Sequence, residues 1–525
     1  MFAVQTHDEP RIKGDTTMTH FIGDQNPNNL NDVFFGDTKD DIADGLNGSD
    51  FLDGGGGNDR LNGESGDDQL FGGGDNGSDT LDGGTGNDFM EGGSGIDAYF
   101  VDSSGDTVQE FANGGQDTVN STISFTLPSE VEILNLQDGP INGLGNNLDN
   151  GIFGNDKDNS LEGFAGNDFL SGGLGNDTYI GDEGKNTIND TGGFDTLFEK
   201  GDVNFILTNS SLEGKGTDTF SNIEVVSLLG GNGNNTLDAS ASNLKTTLDG
   251  AGGNDILKGG TGDTIYVVDS SGDQVIEGSA QGGIDEVVST INFTLGNNLE
   301  KLTLSGASNI NGTGNIANNF ISGNVGNNTL NGGSGDDVLF GNTGNDTLIG
   351  GSGADRFTFS AIQPPLRVDS LGTDTIKDFA STDRIVLDKN TFTALRSGVG
   401  AGLQLADFAV VTSDAAAATS GAIITYNSSN GHLFYNQNGA SAGLGTGAQF
   451  ATLENKAAIN AGSFVVGVAP NIFNLLPSKS TLSGSAKADK LTGTNDSGIL
   501  NGFAGNDKLM GNGGDDEIYG GKGND

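Results

Sequence analysis

The sequence predicts an all-β chain: a parallel β-roll, or β-solenoid, of nonapeptide repeats, with longer β connectors between arrays and a β-rich cap. Three observations carry this. Gly supplies 91 of 525 residues and Pro only 8, against an ordinary Gly share of about 7%. Acids outnumber bases 72 to 23, for a formal net charge of −49, and the acids keep a fixed spacing that disordered acidic chains lack. The segments between arrays alternate β-branched and polar residues between Gly and Asn, which is the pattern of strands.

Residues 1–34 form an N-terminal leader segment, and the first array, 35–100, follows. From Gly36 it reads GDTKDDIAD, GLNGSDFLD, GGGGNDRLN, GESGDDQLF, GGGDNGSDTLD, GGTGNDFME and GGSGIDAYF. The sixth position, or its equivalent in the unit with an insertion, is Asp41, Asp50, Asp59, Asp68, Asp79, Asp88 and Asp97. Two positions on, Leu52, Leu61, Leu70, Leu81, Met90 and Tyr99 are apolar. Glycines allow turns through positive φ, and each x-apolar-x triplet is a strand too short to stand alone, its middle side chain pointing inward. Two units make one coil, so Asp41 is expected to stack near Asp59, Asp50 near Asp68, and Asp68 near Asp88. Stacked carboxylates repel unless a cation lies between them, and Ca²⁺ takes six or more oxygens from carboxylates and turn carbonyls. This G-G-x-G-x-D period is the pattern of a calcium-binding parallel β-helix.

The register returns in four further arrays. Residues 145–180 place Asn150, Asn159, Asp168 and Asp177 at the sixth position, and residues 230–266 place Asn235, Asp255 and Asp263. Residues 314–357 place Asn319, Asn328, Asp337, Asp346 and Asp355, and residues 478–525 place Asp489, Asp507, Asp516 and Asp525. All the aspartates named at this position are candidate calcium ligands. Asn is a neutral donor, so the units that open the second, third and fourth arrays read as structural. Asp177 ends its array and is expected to matter less than aspartates with neighbours on both sides. The last array stops at the sixth position of a unit, and the chain is expected to continue past Asp525.

These residues resemble the RTX, or haemolysin-type, calcium-binding repeat proteins of bacteria. The resemblance implies multiple Ca²⁺ ions, a parallel β-roll, and export by type I secretion machinery that reads a C-terminal signal. It implies nothing about a substrate.

Connectors occupy 101–144, 181–229 and 267–313. The first and third share VDSSGD followed by STISFTL or STINFTL, and the simplest reading is a solenoid that continues with longer coils. Asp102, Asp106, Asp269 and Asp273 read as turn residues or accessory calcium ligands. In 358–477 Gly thins and the pattern I-x-D-F, D-x-I-x-L, Y-x5-G-x-L-x-Y appears. It resembles the cap that follows the roll in serralysin-like proteins, although Asn436, Gln437 and Asn438 stand where that family often has acids.

The chain reads as no enzyme. It has no Cys and three His, so thiolate zinc sites and cysteine nucleophiles are excluded. No HExxH occurs, so the protease domain of serralysins is missing. The one GxSxG, around Ser441, sits in a Gly/Ala-rich turn and lacks the strand–turn–helix setting a nucleophile needs. Repeating carboxylates do not make the single special pair of a glycosidase. The charge repels nucleic acid and anionic lipid, and no apolar run spans a membrane. The leader lacks an apolar core, so it is no secretory signal peptide. The expected protein is therefore extracellular: secreted, structural or cell-surface associated, with calcium as its partner and self-association possible, folding when it meets millimolar calcium. The alternative is a non-catalytic part of a larger RTX enzyme or adhesin. A polysaccharide-binding face has no support from composition, since Trp is absent and Tyr numbers 6.

Overall fold

The computed structural model describes residues 19–23, 31–112, 114–139, 141–278, 283–361, 368–441 and 443–468, together with five short strands between 480 and 519. The fold is an all-β parallel solenoid with almost no helix; a single four-residue α-helix, Asp414–Ala417, occurs among the described residues. No helix there is long and apolar enough to cross a membrane.

Two compact units make up the chain: Met1–Thr264 with Gly272–Gln274, and Ile265–Ser271 with Val275–Asp525. In the first, one wall stacks Asp41–Asp44, Arg60–Asn62, Thr80–Asp82, Ala98–Val101, Thr118–Ser121 and Ile133–Leu136 in parallel. It continues through Gly151–Phe153, Phe169–Ser171 and Thr187–Asn189. Over the first array the other wall is a five-stranded sheet from Val33–Phe35 to Thr107–Gln109. A second sheet, from Phe125–Thr126 to Lys245–Asp249, takes that role afterwards. Register follows the repeat: Ala43 pairs with Leu61, Leu61 with Leu81, and Leu81 with Tyr99. Each triplet buries its middle residue, and Leu52, Leu61, Leu70, Leu81, Met90 and Tyr99 are fully buried. The core is thus one side chain deep from each wall, and burial of a Leu or Met there stabilises by about 1.5–3 kcal/mol.

The connectors continue the coils, as their β pattern predicts. Thr118–Ser121 pairs in parallel with both Ala98–Val101 and Ile133–Leu136. The connector at 181–229 adds an antiparallel excursion, Phe205–Thr208 with Ser211–Glu213, within the same wall.

In the second unit one wall runs from Glu286–Ser289 through Val338–Phe340 and Arg384–Asp388 to Phe464–Gly467. The other runs from Phe293–Thr294 to Asp374–Ile376 and then accepts Gln449–Leu453, His432–Tyr435 and Ile424–Asn427, mutually antiparallel. Ser441 lies between the strands His432–Tyr435 and Gln449–Leu453. In the last array, Ser480–Ser483 pairs in parallel with Gly498–Asn501.

Composition gave no aromatic stripe, yet the first array carries one made of Phe. The seventh and ninth positions flank the inward eighth and so point outward. Diagonal neighbours from successive coils meet there: Phe35, Phe51, Phe71 and Phe89 form a column with ring centroids 5.5, 5.2 and 5.6 Å apart.

Candidate metal centre

Sixth and eighth residues share parity along the strand, so the same pleat that buries the apolar residue turns the aspartate inward. Asp41, Asp50, Asp59, Asp68, Asp79, Asp88 and Asp97 are each at most 3% exposed. They form ladders along the coils. The Asp41 N–H donates to Asp59 Oδ1 at 2.7 Å, Asp59 to Asp79 at 2.8 Å, and Asp79 to Asp97 at 2.7 Å. In the second series Asp50 donates to Asp68 at 2.7 Å and Asp68 to Asp88 at 2.8 Å. The expected stacking of Asp41 on Asp59, Asp50 on Asp68 and Asp68 on Asp88 is what the ladder shows.

In most of these residues one carboxylate oxygen is therefore used and the other is not. The Oδ2 atoms of Asp50, Asp59, Asp68, Asp88, Asp97, Asp168, Asp177, Asp337 and Asp346 are buried with no hydrogen-bond partner. Such groups cost free energy unless a proton or cation meets them. Burial accordingly pushes Asp50, Asp59 and Asp68 up to about 6, Asp79 and Asp88 to about 7, and Asp337 to about 8, with neighbouring carboxylates adding to the shift.

The first glycine of each unit frames the same space. A Cβ on Gly54 would lie 2.2 Å from Asp59 Oδ2, and one on Gly63 would lie 2.4 Å from Asp68 Oδ2 and 2.7 Å from the Gly83 carbonyl oxygen. Carboxylate and carbonyl oxygens, with no nitrogen or sulfur donor, border a cradle that only Gly leaves open. That donor set fits Ca²⁺.

Asn at the sixth position behaves differently. Asn150 and Asn159 accept the N–H groups of Asn146 and Asn155 at 2.7 and 2.8 Å. Their amide nitrogens donate to the carbonyls of Val131 and Ile141 at 3.2 and 2.8 Å. Asn319 and Asn328 repeat this, donating to Leu299 and Ile310 at 2.9 and 2.6 Å. The coil before each of these arrays presents carbonyls where an array coil presents an N–H, so the ladder needs a donor there. In the third array Asn235 donates instead to Asp202 Oδ1 at 3.2 Å. Asp41 shares part of this pattern, since its Oδ2 accepts the Asp37 N–H at 2.9 Å.

The remaining candidates divide. Asp168 accepts from Asn150 at 2.7 Å, Asp255 from Asn235 at 2.7 Å, Asp337 from Asn319 at 2.7 Å, Asp346 from Asn328 at 2.7 Å, and Asp355 from Asp337 at 3.0 Å. Asp263 does not join them. It is exposed, and Thr264, fully buried, takes the inward place and bonds Thr246 Oγ1 at 3.0 Å. Counting from Gly259 and Gly260 makes Thr264 the sixth residue, and strand alternation turns Asp263 outward. Asp177 does not end its ladder either: its N–H donates to Asp195 Oδ1 at 2.8 Å. Asp489, Asp507, Asp516 and Asp525 lie outside the described residues.

The ladders also run into the connectors and into 358–477, where the sequence reading placed no ligand series. Asp117 accepts from Asp97 at 2.8 Å, Asp218 from Asn186 at 2.9 Å, and Asp374 from Asp346 at 3.0 Å. Asp106 is the turn residue the sequence suggests, and it also extends the ladder. It accepts from Asp88 at 3.1 Å, and its other oxygen closes the turn at Ser103 at 3.0 Å. Asp273 accepts from Asp255 at 3.0 Å.

Segments 28–99, 144–179, 227–243, 247–266, 313–360 and 492–525 match the family model of the RTX calcium-binding nonapeptide repeat. The chain thus carries RTX calcium-binding repeats, and the matched segments hold the buried aspartates of the arrays. No curated protein matches the chain. Among solved structures, the extracellular lipase LipA from Serratia marcescens matches at 15% identity with a TM-score of 0.17, covering 67% of this chain. The chain spans 45% of that lipase, and the score is too low to speak to activity or overall shape.

Proposed function

We propose that the protein is secreted and non-catalytic, a calcium-loaded solenoid of structural or cell-surface role that folds when export brings it into millimolar calcium. The observation that supports this reading is the series of buried Oδ2 atoms with no partner. In the absence of metal those charges oppose folding, and a chain of net charge −49 stays extended where calcium is scarce. Bound calcium neutralises them, so its binding free energy becomes folding free energy. Residues supply the rest: the aspartate Oδ1 atoms lock successive coils, the first glycines keep the cradle open, and the eighth-position side chains fill the core. Type I export fits a chain that must remain threadable inside the cell.

The test is a calcium titration of the full chain followed by far-UV circular dichroism. Disorder in EDTA and a cooperative gain of β signal are expected, with a midpoint of roughly 10⁻⁴ to 10⁻³ M, the range of extracellular modules. Mg²⁺ should substitute poorly, because it demands octahedral geometry and dehydrates reluctantly. A chain equally folded in excess EDTA would overturn the proposal.

A further inference from the structure

Inside the arrays, first-position N–H groups donate to a carbonyl one coil on, as Gly54 does to Phe71 and Gly63 to Asp82, both at 2.8 Å. At two array ends a tyrosine hydroxyl takes that place. Gly92 N–H donates to Tyr99 Oη at 2.7 Å, and Gly172 N–H to Tyr179 Oη at 2.7 Å. Each hydroxyl then spends its proton on an acid eleven residues later: Tyr99 on Glu110, and Tyr179 on Asp190 Oδ1 at 2.6 Å. The acids so held come from the connectors, not from any nonapeptide.

They converge on the ladders. One ligand atom each from Asp97, Glu110 and Asp117 lies within 4.8 Å of the others, and Asp177, Asp190 and Asp195 repeat the arrangement. All six residues are buried. The Oδ1 atoms of Asp97, Asp117, Asp177 and Asp195 are occupied by N–H groups at 2.7 to 2.8 Å. Their Oδ2 atoms are buried without a partner, and none of the ion pairs among the described residues reaches either group.

We propose that each trio is a second class of calcium site, closed by a tyrosine-anchored connector acid rather than by turn carbonyls alone. It rests on the calcium reading of the ladders, whose rungs Asp97–Asp117 and Asp177–Asp195 it shares. Three carboxylates concentrate more charge than an interior rung does, and calcium affinity rises with ligand charge, so these sites fill first. The tyrosine hydroxyl, hydrogen-bonded to the acid, fixes its orientation, as the hydrogen-bond partners of metal ligands do elsewhere. The third array ends with the same pair, Tyr266 donating to Glu277 at 2.6 Å, but its sixth residue is Thr264. The sequence there offers one carboxylate fewer, and binding is weaker.

Terbium(III) tests this directly. It occupies oxygen-rich calcium sites and emits when a nearby aromatic ring absorbs; the chain has no Trp and six Tyr. Titration of the full chain should give tyrosine-sensitised emission that calcium reverses. Tyr99→Phe and Tyr179→Phe should each remove part of it and the double variant most of it. Glu110→Gln keeps the ring and should raise the terbium midpoint about tenfold or more, with the dichroism at saturating calcium unchanged. Should that variant fail to fold, Asp190→Asn at the second site gives the same reading. Calcium-induced folding with emission and midpoint untouched by these variants overturns the inference and leaves the ladder reading standing. Failure of calcium to fold the wild-type chain overturns the ladder reading and this one with it.

Discussion

Replacing Asp68 by Asn should move stability in opposite directions with and without calcium. Asp68 lies mid-ladder, accepting from Asp50 at 2.7 Å and donating to Asp88 at 2.8 Å, with its Oδ2 buried and unpartnered. Burial lifts its carboxyl from 3.8 to about 6. At a pH above that value the metal-free fold carries the cost of an ionised group, and two units correspond to about 3 kcal/mol. Asn keeps an oxygen for the Asp50 N–H and removes the charge, so urea melts in EDTA should show a gain of up to about 3 kcal/mol. In calcium the same change removes a charged ligand shared by two coils and should raise the calcium midpoint about tenfold, or about 1.4 kcal/mol. Asp68→Ala differs: it strands the Asp50 N–H, costing about 1–3 kcal/mol under both conditions. A less stable Asp68→Asn in EDTA, or an unchanged calcium midpoint, would refute the ladder as the metal site.

The other expectations are as concrete. Gly54→Ala puts a methyl 2.2 Å from Asp59 Oδ2, so isothermal titration should show fewer calcium ions bound while Gly74→Ala, with open space around it, binds the full number. Leu81→Asp buries a charge in a core one side chain deep and should lose the β signal even at saturating calcium, a cost of several kcal/mol. Asp255→Ala should raise the calcium midpoint, and Asp263→Ala, which alters an exposed side chain, should leave it in place. In EDTA, acid should promote folding. The folded-state values of Asp68, Asp79 and Asp337, about 6, 7 and 8, lie above the ordinary 3.8. The stability they contribute is therefore full below about 4 and is lost as pH rises through 6 to 8. Dichroism of the metal-free chain from pH 8 down to 4 reads this, and a β signal that falls with acid would contradict it.

The arrays were legible because turn glycine, inward aspartate and inward apolar residue are each forced by a different constraint yet share one period. Where only part of that set is present, the reading faltered. Asp117, Asp195, Asp218 and Asp374 follow Gly115, Gly193, Gly216 and Gly372 at the spacing of the motif's second half. The coils that carry them lack the opening glycine pair, so a search for whole units passes over them. That half-motif is the signal that finds the missed rungs. Asp263 misled because the carboxylate, rather than the glycine pair before it, set the count. Tyr99 read as an ordinary apolar eighth-position residue, since its hydroxyl contact is to an acid eleven residues on, outside the nonapeptide. The Phe column was invisible to composition, because it arises from positions seven and nine meeting across coils.

The central claim is that calcium sits where a buried aspartate oxygen has no partner and not where Asn fills the rung. Calcium anomalous scattering from crystals of the full chain reads this position by position. Peaks are expected beside Oδ2 of Asp59, Asp68, Asp168 and Asp337, with none between Asn150 and Val131 or between Asn319 and Leu299. Absence of peaks along the aspartate ladders, or equal peaks at the asparagine rungs, would contradict the account.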